Sequence, residues 1–250
     1  MSGTPARPQG PDVAGGGHGL AGVADAGAFL ARLVRLDRAA LVRLRPAASP
    51  AGPADRTALW ARLPWDVLAV RTVAGVGCGD VTVAARDLLA ELTAGGHTLP
   101  ARRDAQWRWP LPPAASRPVE LLPAGELWRI AEAAAGTLRE AAAHGVSGRA
   151  VGQRVLRDAL LDHVAVVVTP DDPPGPPVEI AQRLVQGLVR MGFLGHPGSA
   201  TGTAAPGTAG GDVQVRVVGR WVGLVGPYGA VWLQKVADLA VTPLGVQPKV

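Results

Sequence analysis

The chain has 250 residues and a formal net charge of +5, and hydrophobic residues make up 48% of it. This length and apolar content suit one large domain or two small ones with a real core. The single cysteine, Cys78, excludes an intrachain disulfide and any metal site built from several cysteines.

Arginine dominates the positive charge, since Lys235 and Lys249 are the only lysines. Asparagine is absent and alanine, glycine and proline are abundant, which is the pattern of a high-GC genome, so the arginine excess says little about chemistry. The net charge is +4 over residues 1–113 and +1 over residues 114–250. A basic chain mildly favours an anionic partner, but a nucleic-acid-binding domain usually concentrates its charge where it docks.

No apolar run reaches the roughly 18–20 residues that a membrane-spanning helix needs. The Gly/Pro-rich N-terminus also lacks a hydrophobic signal region. We therefore expect a soluble cytoplasmic protein that has no membrane partner.

The N-terminal half predicts a disordered tail over residues 1–24, which would leave His18 in solvent, and an α+β subdomain over residues 25–110. A helix is expected over 26–36 and a helix over 84–92. Strands are expected over 41–45, 57–63 and 65–73.

Four arginines of the expected strands, Arg43, Arg45, Arg62 and Arg71, would share one face of a small sheet. Period-two alternation places Arg43 and Arg45 opposite the apolar Val42 and Leu44. Two interpretations stay open: an anion-binding surface, and an ordinary solvated sheet face, which is the commoner case.

A glycine-rich turn follows the third strand, with the spacing Gly75, Gly77, Gly79 and then Asp80. Such turns bind phosphate where they lead straight into a helix. Here residues 81–83 intervene and Asp80 would repel phosphate, so the spacing favours a plain turn. No basic side chain adjoins Cys78 in sequence, which argues against a nucleophilic thiol.

Residues 95–118 combine arginines with Trp107 and Trp109, followed by several prolines. Arginine interleaved with aromatic residues can stack on nucleic-acid bases, but paired tryptophans beside prolines more often pack one subdomain on the next. We place a Pro-rich linker at residues 111–117.

The C-terminal subdomain is expected over residues 118–242, helical with a β-hairpin, followed by a tail over 243–250. Glycine, alanine and threonine without periodicity predict a flexible loop over 195–211. The expected elements are helices over 123–143 and 180–191, a buried strand over 164–168, and strands over 212–218, 220–225 and 230–236, where Trp221 and Trp232 would pack.

A helix-turn-helix spacing links Ala141, Gly145 and Val151, and the element order after Pro123 is compatible with a winged-helix-like arrangement. In this alternative the amphipathic run that follows Gly145 forms the second helix of the motif, and this helix would present nucleic-acid-binding residues. These residues are Arg149, Gln153, Arg154 and Arg157. Residues 147–194 carry no net charge, which weighs against DNA.

Asp158, Asp162 and His163 form the one acidic–histidine group that resembles a metal site, but on a helix His163 points about 100° away from Asp162. Phosphate-loop, nucleophile-elbow and His-Glu-x-x-His motifs are absent from the sequence. We therefore predict no catalytic residues, no metal and no cofactor.

The segment Gly148-Arg149-Ala150-Val151-Gly152-Gln153-Arg154 and the composition over residues 25–240 resemble the uncharacterised conserved proteins of high-GC actinobacteria. The resemblance implies no known activity.

The sequence as a whole predicts an α+β protein that acts as a non-catalytic binding or protein-interaction module, with a protein partner or self-association. Two alternatives stay open. One is a nucleic-acid-binding regulator acting through residues 145–194, and the other is an enzyme whose site the sequence does not reveal.

Overall fold

The computed structural model describes residues 16–47, 55–144, 153–170, 174–195 and 211–235. Contacts between Cα atoms divide the chain into two units. Unit 1 comprises Met1–Pro64 and Leu68–Pro110, and unit 2 comprises Trp65–Val67 and Leu111–Val250. Helices and strands occur in both units, so the expected mixture of the two is confirmed.

Unit 1 is built from four strands, two α-helices and one short 3-10 helix within its described residues. In chain order these are α1 Val23–Leu36, β1 Leu41–Pro46, β2 Arg56–Arg62, β3 Leu68–Ala74, β4 Val81–Ala84, α2 Ala85–Thr93 and the 3-10 helix Asp104–Gln106. The strands lie in the order β4-β1-β2-β3, and every neighbouring pair is antiparallel.

One face of these strands carries the core of unit 1. In β1, Val42 and Leu44 are fully buried, and the arginines between and after them face the other way. Helix α1 contacts α2 and β3, and it buries the predicted apolar stripe that includes Phe29 and Leu33. The alternation predicted for β1 and the amphipathic pattern predicted for α1 are therefore confirmed.

Arg71 lies on the face that the helices cover. It is paired in register with Leu59, which is fully buried, and its guanidinium contacts Asp25 of α1. Alternation along β3 dictates this direction, because neighbouring residues of a strand point to opposite faces. The suggestion that four arginines share one face is therefore wrong for Arg71.

The segment before α1 packs into unit 1, which corrects the expected disorder of residues 16–24 and the expected solvation of His18. His18 is 1% exposed. Its Nδ1 accepts the amide of Leu20 at 3.1 Å, and its Nε2 lies 3.1 Å from the carbonyl oxygen of Gly96. Because Nδ1 is an acceptor, the proton belongs on Nε2, which donates to Gly96. Glycine and proline content suggested disorder, but the contact with Gly96 comes from a residue far along the chain.

Residues 1–15 of the predicted tail, residues 196–210 of the predicted loop and residues 243–250 lie outside the described residues.

Unit 2 contains three helices and six strands among its described residues. They are β5 Arg117–Leu122, α3 Ala124–His144, α4 Gln153–Asp162, β6 Val164–Val168, β7 Val178–Ala181, α5 Gln182–Arg190, β8 Val213–Val218, β9 Trp221–Gly226 and β10 Gly229–Gln234. Four of the strands lie antiparallel in the order β10-β9-β8-β5, and β6 and β7 form a separate two-stranded hairpin.

Helix α5 is the centre of unit 2, since it contacts both other helices, the β6–β7 hairpin and strands β9 and β10. Leu184, Val185 and Leu188 bury its apolar face. The helix ends at Arg190, and Gly192 two residues later has a φ of 69°, the left-handed conformation that glycine adopts readily and that terminates helices. The amide of Phe193 then donates to the carbonyl of Leu188 at 2.9 Å, which closes the helix end.

Helix α3 is long but shallowly packed. Of its 21 residues, Leu127 and Ala131 are buried. It begins at Ala124, directly after Pro123, which was predicted to open it, and its described residues run to His144.

The C-terminal unit holds more strand than the expected helical subdomain with a hairpin. Strand β5 begins at Arg117, the last residue of the predicted linker, and the sequence analysis assigned no strand there. It lies at a sheet edge, where Pro118 is tolerated, with a bulge between Pro118 and Glu120. Residues 178–181, partly assigned to a helix, form β7, which pairs with β6. Nothing in this arrangement specifically supports a winged helix.

Candidate binding site

The outer face of the unit 1 strands carries a cluster of charges that tertiary pairing creates. Arg43 donates to Asp80 through Nε at 2.6 Å and Nη2 at 2.8 Å, and Nε of Arg45 lies 3.0 Å from the same carboxylate. Strand β4 pairs with β1 through Leu44 and Val81, which places Asp80 beside both arginines. The glycine-rich turn therefore places the Asp80 carboxylate next to the arginines of β1.

These ion pairs shift the protonation equilibria of their members. The hydrogen bond from Arg43 holds the pKa of the Asp80 carboxyl below its ordinary value, and burial opposes the shift only in part. The same hydrogen bond raises the pKa of Arg43. Asp80 is therefore ionised in the folded protein at neutral pH.

We expect Asp80→Asn to lower the free energy of unfolding by about 1 kcal/mol, since two ion pairs are lost but the carboxylate is 39% exposed and screened by solvent. The folded-state pKa is lowered, so this contribution is complete above the unfolded value of about 3.9 and disappears as pH falls through the lowered pKa. Denaturant unfolding of both proteins between about pH 2 and 7 measures it.

The matched control is Asp87→Asn, which removes an exposed ion pair with the adjacent Arg86. It should change stability by less than about 0.5 kcal/mol. A gap between wild type and Asp80→Asn that persists unchanged at the lowest pH would contradict the role assigned to Asp80.

Residues 102–109 run from the β4 edge across to the outer face. The amide of Arg103 donates to the carbonyl of Thr82 at 2.7 Å, and the amide of Thr82 donates to Oδ1 of Asp104 at 2.6 Å. These bonds use the free edge of β4 and fix where the following tryptophans lie.

Trp107 and Trp109 contact each other in an edge-to-face arrangement, with ring centroids 5.6 Å apart. Nε1 of Trp107 donates to the carbonyl oxygen of Trp109 at 2.6 Å, which satisfies the one polar atom of a ring that is 9% exposed. These contacts join the two tryptophans to each other within unit 1, and the packing of one subdomain on the next that the sequence favoured stays a prediction.

Two arginines from the strands complete the cluster. Cζ of Arg43 lies 5.8 Å from the centroid of the Trp107 ring, and Cζ of Arg62 lies 4.7 Å from that of Trp109. Both distances are within cation–π range. We call the four residues Arg43, Trp107, Trp109 and Arg62 the arginine–tryptophan ladder.

A cleft of about 250 Å³ opens beside the Arg62 end of the ladder. Its lining combines apolar residues, among them buried Ala40 and Leu63, with the polar residues Asp37, Arg62 and Gln106. Its lining residues are Asp37, Ala39, Ala40, Leu41, Arg62, Leu63, Pro64, Gln106, Trp107 and Trp109. Burial lowers the pKa of Arg62, but a guanidinium stays protonated in proteins, so the cleft holds a partly desolvated cation.

The residues predicted for nucleic-acid binding belong to unit 2. Arg149 lies outside the described residues, and Gln153 begins α4. Arg154 and Arg157 are exposed on α4, where Nε of Arg154 lies 3.8 Å and Nη2 of Arg157 3.4 Å from the carboxylate of Asp158. The Asp158 carboxylate thus partly offsets the positive charge of both arginines.

The candidate metal and thiol groups also remain apart. Asp162 pairs with Arg183, and within the described ranges no three histidine, cysteine or acidic side chains group as metal ligands. Burial raises the pKa of the Cys78 thiol, so the thiolate is disfavoured. No helix within these ranges is long and apolar enough to cross a membrane.

The chain belongs to the family of the domain of unknown function DUF8185, whose model matches residues 111–238. A second family model, the domain of unknown function DUF8010, matches residues 19–109. Neither description concerns source organisms, so the resemblance to actinobacterial proteins stays a prediction. Comparison with curated proteins gave no match.

Several solved structures are similar to most of this chain. The pol III beta protein of Caulobacter crescentus is 12% identical with a TM-score of 0.46, over 85% of this chain and 63% of its own. The DNA polymerase beta subunit of Streptococcus pyogenes is 9% identical with a TM-score of 0.47, over 85% and 62%. The sliding clamp of Pseudomonas aeruginosa bound to griselimycin is 9% identical with a TM-score of 0.48, over 89% and 67%.

The chain thus spans less than two thirds of the first of these proteins. At such identities and TM-scores the likeness transfers no activity, partner or site to this chain.

Proposed function

We propose that the protein is a non-catalytic protein-interaction module, and that the cleft beside the arginine–tryptophan ladder binds an acidic peptide segment that carries apolar side chains. One observation carries the proposal: a partly desolvated guanidinium, Arg62, is held over Trp109 beside a cleft lined by both apolar and polar residues. Tryptophan and arginine are the side chains that most often dominate protein interfaces.

Charge around the cleft favours an acidic partner. The segments that build the site, residues 37–45, 56–64 and 101–110, contain eight arginines, whereas these segments and Asp80 together contribute three aspartates. An acidic peptide would therefore be attracted to this face and a basic one repelled.

The site is also ordered before a partner arrives. Hydrogen bonds hold Trp107 to Trp109 and hold residues 103 and 104 to Thr82. A preformed surface avoids part of the entropy loss of binding, which favours a partner that supplies the flexible component. A short linear peptide is such a partner, and the cleft volume suits one or two of its side chains.

Fluorescence anisotropy with labelled hexapeptides tests the proposal. The probes alternate glutamate with leucine, alternate lysine with leucine, or contain glutamate alone, and a short oligothymidine strand serves as the nucleic-acid probe. We expect the glutamate–leucine peptide to bind most tightly. Arg62→Gln should weaken that binding about tenfold, which is about 1.4 kcal/mol.

The control is Arg108→Gln, which removes the same charge as Arg62→Gln. Arg108 is an exposed arginine between the two tryptophans in sequence. It should weaken binding less than about threefold. Equal effects of the two variants would show that charge alone acts. Tighter binding of the oligothymidine strand than of every peptide would replace the proposed function with nucleic-acid binding.

A further inference from the structure

The cleft beside the arginine–tryptophan ladder contains a carboxylate that lacks a cationic partner. Asp37 is the one acidic residue among those that line the cleft within the described part of the chain, and it is half-buried. Oδ1 of Asp37 accepts the amide of Ala39 at 2.8 Å. No arginine or lysine of the described residues lies within ion-pairing distance of this carboxylate. Its remaining acceptor positions can therefore receive hydrogen bonds from a ligand.

The end of helix α1 adds to the negative potential at the same place. Asp37 caps this helix, and its amide donates to the carbonyl oxygen of Leu33 at 2.9 Å. Carbonyl groups in the last turn of a helix carry partial negative charge, so a cation is favoured beside them. The nearby Arg35 and Arg38 are exposed and do not line the cleft. The Asp37 carboxylate and the helix end thus favour a positively charged group in this part of the cleft.

The same cleft also presents a positive charge, that of Arg62, which lies over the ring of Trp109. The carboxylate of Asp37 is not among the partners of Arg62, so the two opposite charges remain separate. A ligand that carries an ammonium group and a carboxylate a few bonds apart complements both charges. The cleft volume of about 250 Å³ suits a group of the size of one amino-acid residue.

We propose that the cleft binds the free amino terminus of an acidic peptide, with the α-ammonium group on Asp37 and the side-chain carboxylate of a first glutamate or aspartate on Arg62. This inference rests on the proposed function and specifies which part of the peptide enters the cleft. An ammonium group donates several hydrogen bonds, and a carboxylate accepts them with charge assistance. Trp107 also lines the cleft, and the face of an indole ring attracts a cation.

Fluorescence anisotropy with two peptides that differ in one amino group tests the inference. Both peptides alternate glutamate with leucine and carry the label at the carboxyl end, and in one of them glutarate replaces the first glutamate. Glutarate keeps the side-chain carboxylate and lacks only the α-amino group. Wild type should bind the peptide that has the free amino terminus at least about fivefold more tightly than the glutarate peptide.

Asp37→Asn should remove this preference, because the asparagine side chain carries no charge. It retains an oxygen that can accept the amide of Ala39, so the turn after α1 should persist. The matched control is Asp87→Asn, since Asp87 lies on α2 and does not line the cleft. This control loses the same charge and should keep the preference of wild type.

The outcomes separate this inference from the proposed function. Equal binding of the two peptides to wild type would overturn the inference, and the proposed function would stand if Arg62→Gln still weakened that binding. Failure of both peptides to bind would refute the proposed function and the inference together. A preference that persists in Asp37→Asn would also overturn the inference, since another group would then hold the ammonium.

Two further probes identify the source of the ammonium group. A glutarate peptide with lysine at its second position should not regain the lost affinity, and full recovery would overturn the assignment to the amino terminus. Free glutamate at the concentration of the peptide should not displace it. Displacement would overturn the inference by assigning the cleft to a free amino acid.

Discussion

Gly75→Ala is expected to lower the free energy of unfolding by about 3 kcal/mol or more, because strain and crowding coincide at this position. Gly75 has a φ of 116°, which L side chains rarely adopt. An added Cβ would lie 2.5 Å from the nitrogen of Ala21 and 2.8 Å from Cα of Leu20, and closer still to the carbonyl oxygen of Gly19. All three atoms are backbone, so the segment before α1 would have to move away.

Gly79→Ala separates the two contributions. Gly79 lies in the same turn with a φ of 94°, but an added Cβ would meet no atom within 4 Å. This variant should lose only the conformational part, about 1–2 kcal/mol. Urea unfolding of wild type and both variants provides the comparison. Equal losses would mean that the segment before α1 is not packed against Gly75.

Phe193→Ala is expected to cost about 3–5 kcal/mol, the range for removing a fully buried phenylalanine. Phe193 is 0% exposed and follows the end of α5. Its ring covers Gly229 so closely that a Cβ there would lie 2.5 Å from Cε1, and its carbonyl accepts the amide of Tyr228 at 3.3 Å. The side chain therefore joins the end of α5 to the β9–β10 turn.

Phe193→Leu keeps most of the apolar volume and should cost only about 1–1.5 kcal/mol. Thermal or urea unfolding measures both variants, and the leucine variant shows whether the ring or merely an apolar side chain is required. A loss below about 1 kcal/mol for Phe193→Ala would contradict the packing described for unit 2.

Sequence periodicity predicted the long and strongly patterned elements. Helices α1, α3 and α5 and strand β6 all occur. The predicted burial of β6 is wrong except at Val168, and the α3 stripe is buried only at Leu127 and Ala131. Strands β4 and β7 have four residues each, too few to establish a period, and β5 contains Pro118 and shows no alternation of buried and exposed residues. Their identity depends on pairing with strands distant in the chain, which local pattern does not encode.

The candidate binding site was predictable in part. The sequence showed that Trp107 and Trp109 form a pair and that Arg43 and Arg45 share a strand face. It could not show that Arg43 and Arg62 lie over the two rings, because these partners come from β1 and β2. Asp80 appeared to be a turn residue, and its role emerges only once β4 pairs with β1. Contacts over such separations follow from strand register rather than from spacing.

The shallow packing of α3 has a consequence for local opening. A helix with two buried residues gains little from tertiary contacts, so its hydrogen bonds depend on the intrinsic preference of its many alanines for the helical state. Its amides should therefore exchange with solvent through partial opening, at a lower free energy than those of α5, whose apolar face is enclosed. We therefore expect hydrogen exchange to distinguish a cooperative centre around α5 from a helix, α3, that opens at a lower free energy.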